Sequence, residues 1–179
     1  MDGGLGSSPT PAPGLVLDAN VLIDYCQCDR TILSLVSKHV GKVHVPSLVL
    51  DEVHELDEDE CVRLGLVVVE PELDEVMTTA QRRCGLSFED HLCLIMAKKR
   101  GWICATNDGR LRRECESEGV ALLWGLGLMV KLVGLCVLSP DAARDAALLM
   151  HSRNPRYITK TVIARFMTQI GSAHRPTIS

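Results

Sequence analysis

Apolar residues along this chain fall into short extended runs separated by stretches of helical spacing. Leu15-Val16-Leu17 is uniformly apolar, as a strand buried on both faces requires. The spacing then predicts a helix from Asp29 to Val40, with Ile32, Leu33, Leu35 and Val36 inside and Gly41 as its stop. A strand over 42–45 is closed by Pro46. Ser47 opens a helix to about Glu55, with Val49, Val53 and Leu56 on one face. Residues 64–70 read as a strand or an extended connection, followed by helices over 72–84 and 87–100. Ser87 and Asp90 stand in a capping arrangement at the start of the second. A strand over 102–106, a helix over 109–118 and a last strand over 120–123 complete the alternation. Beyond Gly125 the pattern is helical only: 126–137, 140–151 and 157–170.

Strand and helix in alternation predict an α/β fold: a three-layer α/β/α sandwich around a central, mainly parallel sheet, with a helical C-terminal tail. Residues 1–13 (MDGGLGSSPTPAP) are expected to be a disordered leader. Residues 14–138 form the principal domain, and 139–179 a helical extension packed on it or continuing it. The chain has 179 residues and is 46% hydrophobic, enough for one real core. Its longest nearly apolar run, Leu122 to Leu138, is broken by Lys131, so no spanning helix is expected. No basic flank precedes an apolar segment at the N-terminus, so a secretory signal is not expected and the protein reads as cytoplasmic. The eight cysteines include no CxxC pair. Several sit inside apolar periodic segments, which makes them small buried hydrophobes before metal or redox groups.

Charge changes the picture only when the chain is divided. Residues 1–89 carry 6 basic and 16 acidic side chains, net −10; residues 90–179 carry 13 and 7, net +6. An acidic centre beside a basic surface would suit a phosphate-bearing substrate. Aromatic residues are 3% of the chain, which argues against base stacking as the main binding mode.

Four acids fall where a fold of this kind has little structural use for them. Asp18 and Asp108 each follow a strand. Glu52 and Asp90 each lie on or beside the apolar stripe of an expected helix, with Asp51 and Glu89 turned toward solvent. Each alone has an ordinary explanation. Asp18 or Asp108 could cap a helix, Glu52 could be one of seven solvated acids in 51–60, and Asp90 could complement a helix dipole. Together they ask for a shared cation, because an unpaired buried carboxylate is costly. Oxygen donors of this kind suit Mg2+ or Mn2+, and such a centre suits phosphodiester hydrolysis. The run 55–60 (ELDEDE) reads as a solvated, flexible segment, and His91 as a surface or core histidine before a general base.

The segments LVLDANVLIDY, PSLVLDEV, SFEDHLCLIMAKKRGWICATNDGRL and WGLGLMVKLV, in that order over about residues 14–138, resemble PIN-domain ribonucleases. The likeness is greatest to the toxin of a VapC-type toxin–antitoxin pair. That resemblance implies a parallel α/β/α sandwich and a Mg2+- or Mn2+-dependent endoribonuclease whose acids are Asp18, Glu52, Asp90 and Asp108. Asn20, Thr106 and Asn107 would support them, with Asp24 as a helix cap or a further supporting acid. Arg110, Arg112 and Arg113, just after Asp108, are expected to hold the RNA backbone. Lys98, Lys99 and Arg100 serve equally well as helix C-terminal charges. Ala19 stands where many members carry Thr or Ser. The partners implied are RNA, an antitoxin protein and a second copy of the chain, with no membrane. The alternative is a catalytically silent PIN-fold module that binds RNA or acts as a scaffold. A haloacid-dehalogenase phosphatase would need an aspartate where Asn20 stands, and a receiver domain a lysine after a late strand.

Overall fold

The computed structural model describes residues 12–81 and 85–173. Five strands form one parallel sheet: β1 (Leu15–Leu17), β2 (Val43–Pro46), β3 (Val67–Val69), β4 (Ile103–Ala105) and β5 (Leu122–Leu123). Their order is β3-β2-β1-β4-β5, which places β1 at the centre. Leu15, Val16 and Leu17 are all buried and pair with Val43 and His44 on one side and Ile103, Cys104 and Ala105 on the other.

Helices α1 (Ala19–Cys28) and α2 (Thr31–His39) link β1 to β2. The short α3 (Ser47–Leu50) and α4 (Glu58–Arg63) link β2 to β3. Helices α5 (Leu73–Gln81) and α6 (Phe88–Arg100) lead to β4, and α7 (Gly109–Ser117) to β5. Three more, α8 (Gly127–Gly134), α9 (Pro140–Arg153) and α10 (Lys160–Ala173), follow the sheet. Contacts divide them into two groups. α1 and α2 pack with α8 and α9, and α10 packs on α8 and α9; α5 and α7 pack on α6, which lies on β1 and β4. The α/β sandwich expected from the alternation is therefore what the chain forms, and no helix among the described residues is long and apolar enough to cross a membrane.

The departures from expectation have local causes. α1 escapes the pattern because Val21, Leu22, Ile23, Tyr25 and Cys26 are apolar almost all round and include β-branched residues, which read as extended chain. Its start is set by Asp18, whose Oδ1 accepts from the Val21 N–H at 2.7 Å. The helix expected from Ser47 to Glu55 stops at Leu50, and Ser47 donates to Glu70 across to the β3 side rather than capping. The acidic run 55–60 is no loose segment: Asp57 caps α4, and Glu60 pairs with both Arg30 and Arg63. Cys26, Cys61, Cys93, Cys104 and Cys115 are buried free thiols, consistent with small core hydrophobes. The expectations for residues 1–11, for the end of the 72–84 helix at 82–84 (with Cys84) and for residues 174–179 lie outside the described residues.

Lys98, Lys99 and Arg100 close the end of α6 as an ion-pair cluster. Lys98 meets Glu118; Lys99 meets Glu72 and Asp74; Arg100 meets Glu75 through two hydrogen bonds of 2.9 and 2.7 Å. Their charges are spent on the protein itself, which favours the structural side of the sequence reading.

Candidate functional site

In a parallel sheet whose strand order reverses, ligands bind beyond the carboxyl ends of the strands flanking the reversal. Here the reversal lies between β1 and β4. Asp18 leaves the end of β1, its N–H bonded to the Ala105 carbonyl at 3.2 Å, and Asp108 follows β4 by three residues. Both are helix N-caps. Asp108 Oδ1 accepts from the N–H groups of Arg110 (2.7 Å) and Leu111 (2.9 Å). The ordinary reading of an aspartate at a strand end is thus correct for both, and in each case the capping bonds fall on one oxygen.

The other oxygen is the informative one. Asp18 is fully buried, and its Oδ2 has no hydrogen-bond partner among the described residues. The Thr106 hydroxyl beside Asp18 favours the charged form, and so does the Val21 N–H. Burial outweighs both and, with the charges of Asp90 and Asp24, pushes the carboxyl up to about 7. Thr106 is itself buried and accepts from the Asp108 N–H at 2.9 Å, so one hydroxyl sits between the two strand-end acids.

Asp90 is half-buried in the first turn of α6, its N–H bonded to the Ser87 hydroxyl at 3.1 Å. Desolvation raises its carboxyl above the usual range, and Asp108 and Glu89 add to that. Glu52 corrects the sequence reading: it lies on an exposed turn after α3, not on an apolar helical stripe. It remains close enough to the others to matter. Partial desolvation lifts its carboxyl, followed by the charges of Glu89 and Asp90. Glu89, expected nearer solvent, is half-buried and crowds both Glu52 and Asp90. Neither a strand end nor an apolar stripe marks Glu89 in the sequence. Its place in the first turn of α6, where acids favour the helix N-terminus, was the available clue.

Asp24 lies within α1, which excludes the helix-cap reading. It is buried, and accepts from Asn154 Nδ2 at 2.8 Å and more weakly from Asn107 Nδ2 at 3.5 Å. Asn107 is itself fixed by the Gly125 N–H, which donates to its Oδ1 at 2.9 Å. A Cβ on Gly125 would stand 2.6 Å from Asn107 Nδ2, so only glycine allows this approach. The Gly125 carbonyl accepts from the buried Tyr25 hydroxyl at 2.7 Å. Tyr25→Phe should lower stability by about 1 kcal/mol, read as an earlier urea midpoint, because it leaves that carbonyl short of a partner. Asn20 is half-buried in the first turn of α1. His91 is a core residue with Nδ1 3.1 Å from the Thr79 carbonyl.

Arg110 and Arg113 are exposed, Arg112 half-buried. Arg110 and Arg113 border a shallow depression of about 270 Å³ with Gly85 and Glu114, beside the α7 start that Asp108 caps.

The acids match Mg2+ or Mn2+ in donor type and in excess charge, and the orphaned Asp18 Oδ2 is the atom such an ion would satisfy. They fall short in convergence: among the described residues, no three His, Cys, Asp or Glu side chains come together as a group able to hold a metal ion. No family model matches the chain, and no curated protein is similar to it. Among solved structures, a PilT N-terminus domain protein from the hyperthermophilic archaeon Sulfolobus solfataricus P2 is similar at 13% identity. The match covers 66% of this chain and 92% of that one, with a TM-score of 0.48. A likeness of that size adds nothing to function, which stands on the site's own chemistry.

Proposed function

We propose that this chain is a metal-dependent endoribonuclease that hydrolyses RNA phosphodiester bonds at the crevice between β1 and β4. The observation that carries this reading is Asp18: a carboxylate at the end of the central strand, fully buried, with one oxygen unpartnered and other acids around it. A purely structural cap would be paired or solvated, because burying an unmatched charge costs several kcal/mol.

Asp18, Asp90 and Asp108 would hold Mg2+ or Mn2+, with Glu52 and Glu89 at the exposed margin. The ion, when bound, supplies an activated water and neutralises charge on the phosphate. The chain's own contributions are positional. Thr106 orients the two strand-end acids, and burial of Asp18 excludes competing water. Arg110 and Arg113 would hold the backbone on the side of Asp108, where the N–H groups of α7 also point. The sequence resemblance extends the reading to the toxin of a toxin–antitoxin pair. In that role a second copy of the chain and a basic antitoxin segment would be the protein partners.

One observation favours the alternative, a silent PIN-fold module that binds RNA without cutting: the acids do not form a three-ligand group. Incubation of a mixed RNA pool with the protein in Mg2+, Mn2+ or EDTA separates the two. Cleavage that needs metal and disappears in Asp108→Asn is expected. Intact RNA in every metal, with folded protein that still retards RNA in a gel, would establish the silent module. Replacing Arg110 and Arg113 by Ser should flatten the salt dependence of RNA affinity by about one to two units of slope.

A further inference from the structure

From Ala146 to Ser179 the sequence contains five Lys and Arg residues and no Asp or Glu. Residues 90–145 carry 8 basic and 7 acidic side chains, net +1, so the positive excess of residues 90–179 belongs almost wholly to this last stretch. Four of its cations fall on described residues: Arg153 at the end of α9, Arg156 in the turn that follows, and Lys160 and Arg165 on α10. All four are exposed, and among the described residues none of them forms an ion pair. Arg30, Arg63, Lys98, Lys99, Arg100 and Arg144, by contrast, each meet a carboxylate. Two of the four unpaired cations are held on rings instead. Arg165 lies 5.0 Å from the Trp124 ring centre, and Arg156 5.5 Å from that of Tyr157. A guanidinium set over a ring loses freedom without spending its charge, so its donors stay available to phosphate oxygens.

Hydrogen bonds tie these cations to the crevice. Trp124 directly follows β5, and its neighbour Gly125 donates to Asn107 Oδ1 at 2.9 Å, one residue before Asp108. Asn154, in the turn after α9, donates to Asp24 Oδ1 at 2.8 Å, and Asn107 Nδ2 reaches the other oxygen at 3.5 Å. The turn between α9 and α10 is thereby joined through side chains to the loop after β4, at the carboxyl ends of the strands. Arg110 and Arg113 stand at the same loop on α7, which packs on α6; the four cations stand on helices that pack with α1 and α8.

Resting on the RNA reading above, we propose that Arg153, Arg156, Lys160 and Arg165 form a second phosphate-binding surface, supplied by the other helix group from Arg110 and Arg113. It holds the backbone of an RNA strand laid across the carboxyl ends of the strands. Phosphate contacts of this kind position the strand and carry no sequence information.

The test is binding of a short fluorescent single-stranded RNA to the full chain in EDTA, over a series of salt concentrations, so that neither metal nor cleavage enters. Arg156→Gln with Arg165→Gln should weaken binding about tenfold near physiological salt. The same pair should flatten the log–log salt dependence by about 1.4, two phosphate contacts at ~0.7 each. Lys98→Gln with Lys99→Gln removes the same charge from cations already paired, and should leave both values as in wild type. Arg156→Lys with Arg165→Lys gives up the ring contacts but keeps the charge. Its slope should remain that of wild type, which separates phosphate binding from damage to the fold. A wild-type slope in the Arg→Gln pair, or an equal loss in the Lys98 and Lys99 pair, would overturn the surface. So would wild-type protein that ignores RNA, whether or not vesicles of anionic phospholipid retain it. Wild-type protein that binds RNA with these effects yet cuts none in Mg2+ or Mn2+ would leave the surface standing and remove the nuclease.

Discussion

Asp18→Asn should yield a protein that melts higher than wild type above pH 7 and does not cleave RNA. Asparagine caps helices as well as aspartate does, so the bond to the Val21 N–H survives. What it removes is a buried charge. Asp18 ionises near 7 in the folded protein and near 3.8 when unfolded. Below about pH 4 the group is protonated in both states and contributes nothing. Between about 4 and 7 the unfolded chain releases the proton while the folded one keeps it, so stability falls as pH rises; above 7 the cost is complete. A shift of that size amounts to about 2–4 kcal/mol, seen as a melting temperature that declines across this window in wild type and less so in the variant. Saturating Mg2+ or Mn2+ should reverse the decline in wild type alone, since a ligand of the native state stabilises it. Cleavage should drop by about 10³-fold or more, the equivalent of several kcal/mol of barrier. A variant less stable than wild type at pH 8 would show that the carboxylate is satisfied in solution. A variant that still cuts would remove Asp18 from the chemistry.

The second large effect concerns Arg100 and Glu75, far from the acids. Glu75 is 1% exposed, paired through two bonds with Arg100, and its Oε2 also accepts from the Glu72 N–H at 2.7 Å. Arg100 lies 5.1 Å above the Trp102 ring, which in turn stacks on His44. Arg100→Met would leave a buried carboxylate without its paired counter-charge, with Lys99 only a weaker neighbour, and should cost about 3 kcal/mol. For a chain of this length that is roughly 10 °C in melting temperature. Arg100 holds the Glu75 carboxyl below the ordinary glutamate range. The pair therefore stabilises fully above that range, and its contribution is lost as pH falls through the depressed value. The double change Arg100→Met with Glu75→Leu should recover most of the loss, since an apolar pair of similar volume needs no charge balance. Equal damage in the single and double variants would assign the cost to lost packing on Trp102 instead.

The fold was legible because its signals are local. Leu15 to Leu17 can be little but a doubly buried strand, and alternation with helices leaves few arrangements besides a parallel sheet. Asp18 and Asp108 stand out as candidates for a related reason: strand ends in such a sheet face a crevice, and the structure places both there as helix caps. What escaped depended on contacts across the chain. Glu52 was placed on a helix that ends too early, because nothing in Ser47–Leu50 reveals that the chain turns at Asp51. Asn154 gave no signal, since an asparagine after a helix is an ordinary cap and its partner is 130 residues away. Asp24 stands near Asp18 in sequence, but the groups that hold it, Asn107 and Asn154, come from distant parts of the chain. The acidic run at 55–60 misled because composition suggested solvation, whereas Asp57 begins a helix and Glu60 gathers two arginines.

The central place of β1 also has a kinetic meaning. Leu15 pairs with Val43, a modest loop away, but also with Ile103. Closing so long a loop costs entropy before any contact repays it, so a pairing of this range is slow to form. Asp18 and Asp108 share Thr106 only after β4 has docked beside β1. Until then Asp18 stays wet and ionises at ordinary cost. The environment that buries Asp18 beside Thr106 therefore depends on the same long-range β1–β4 pairing that completes the sheet.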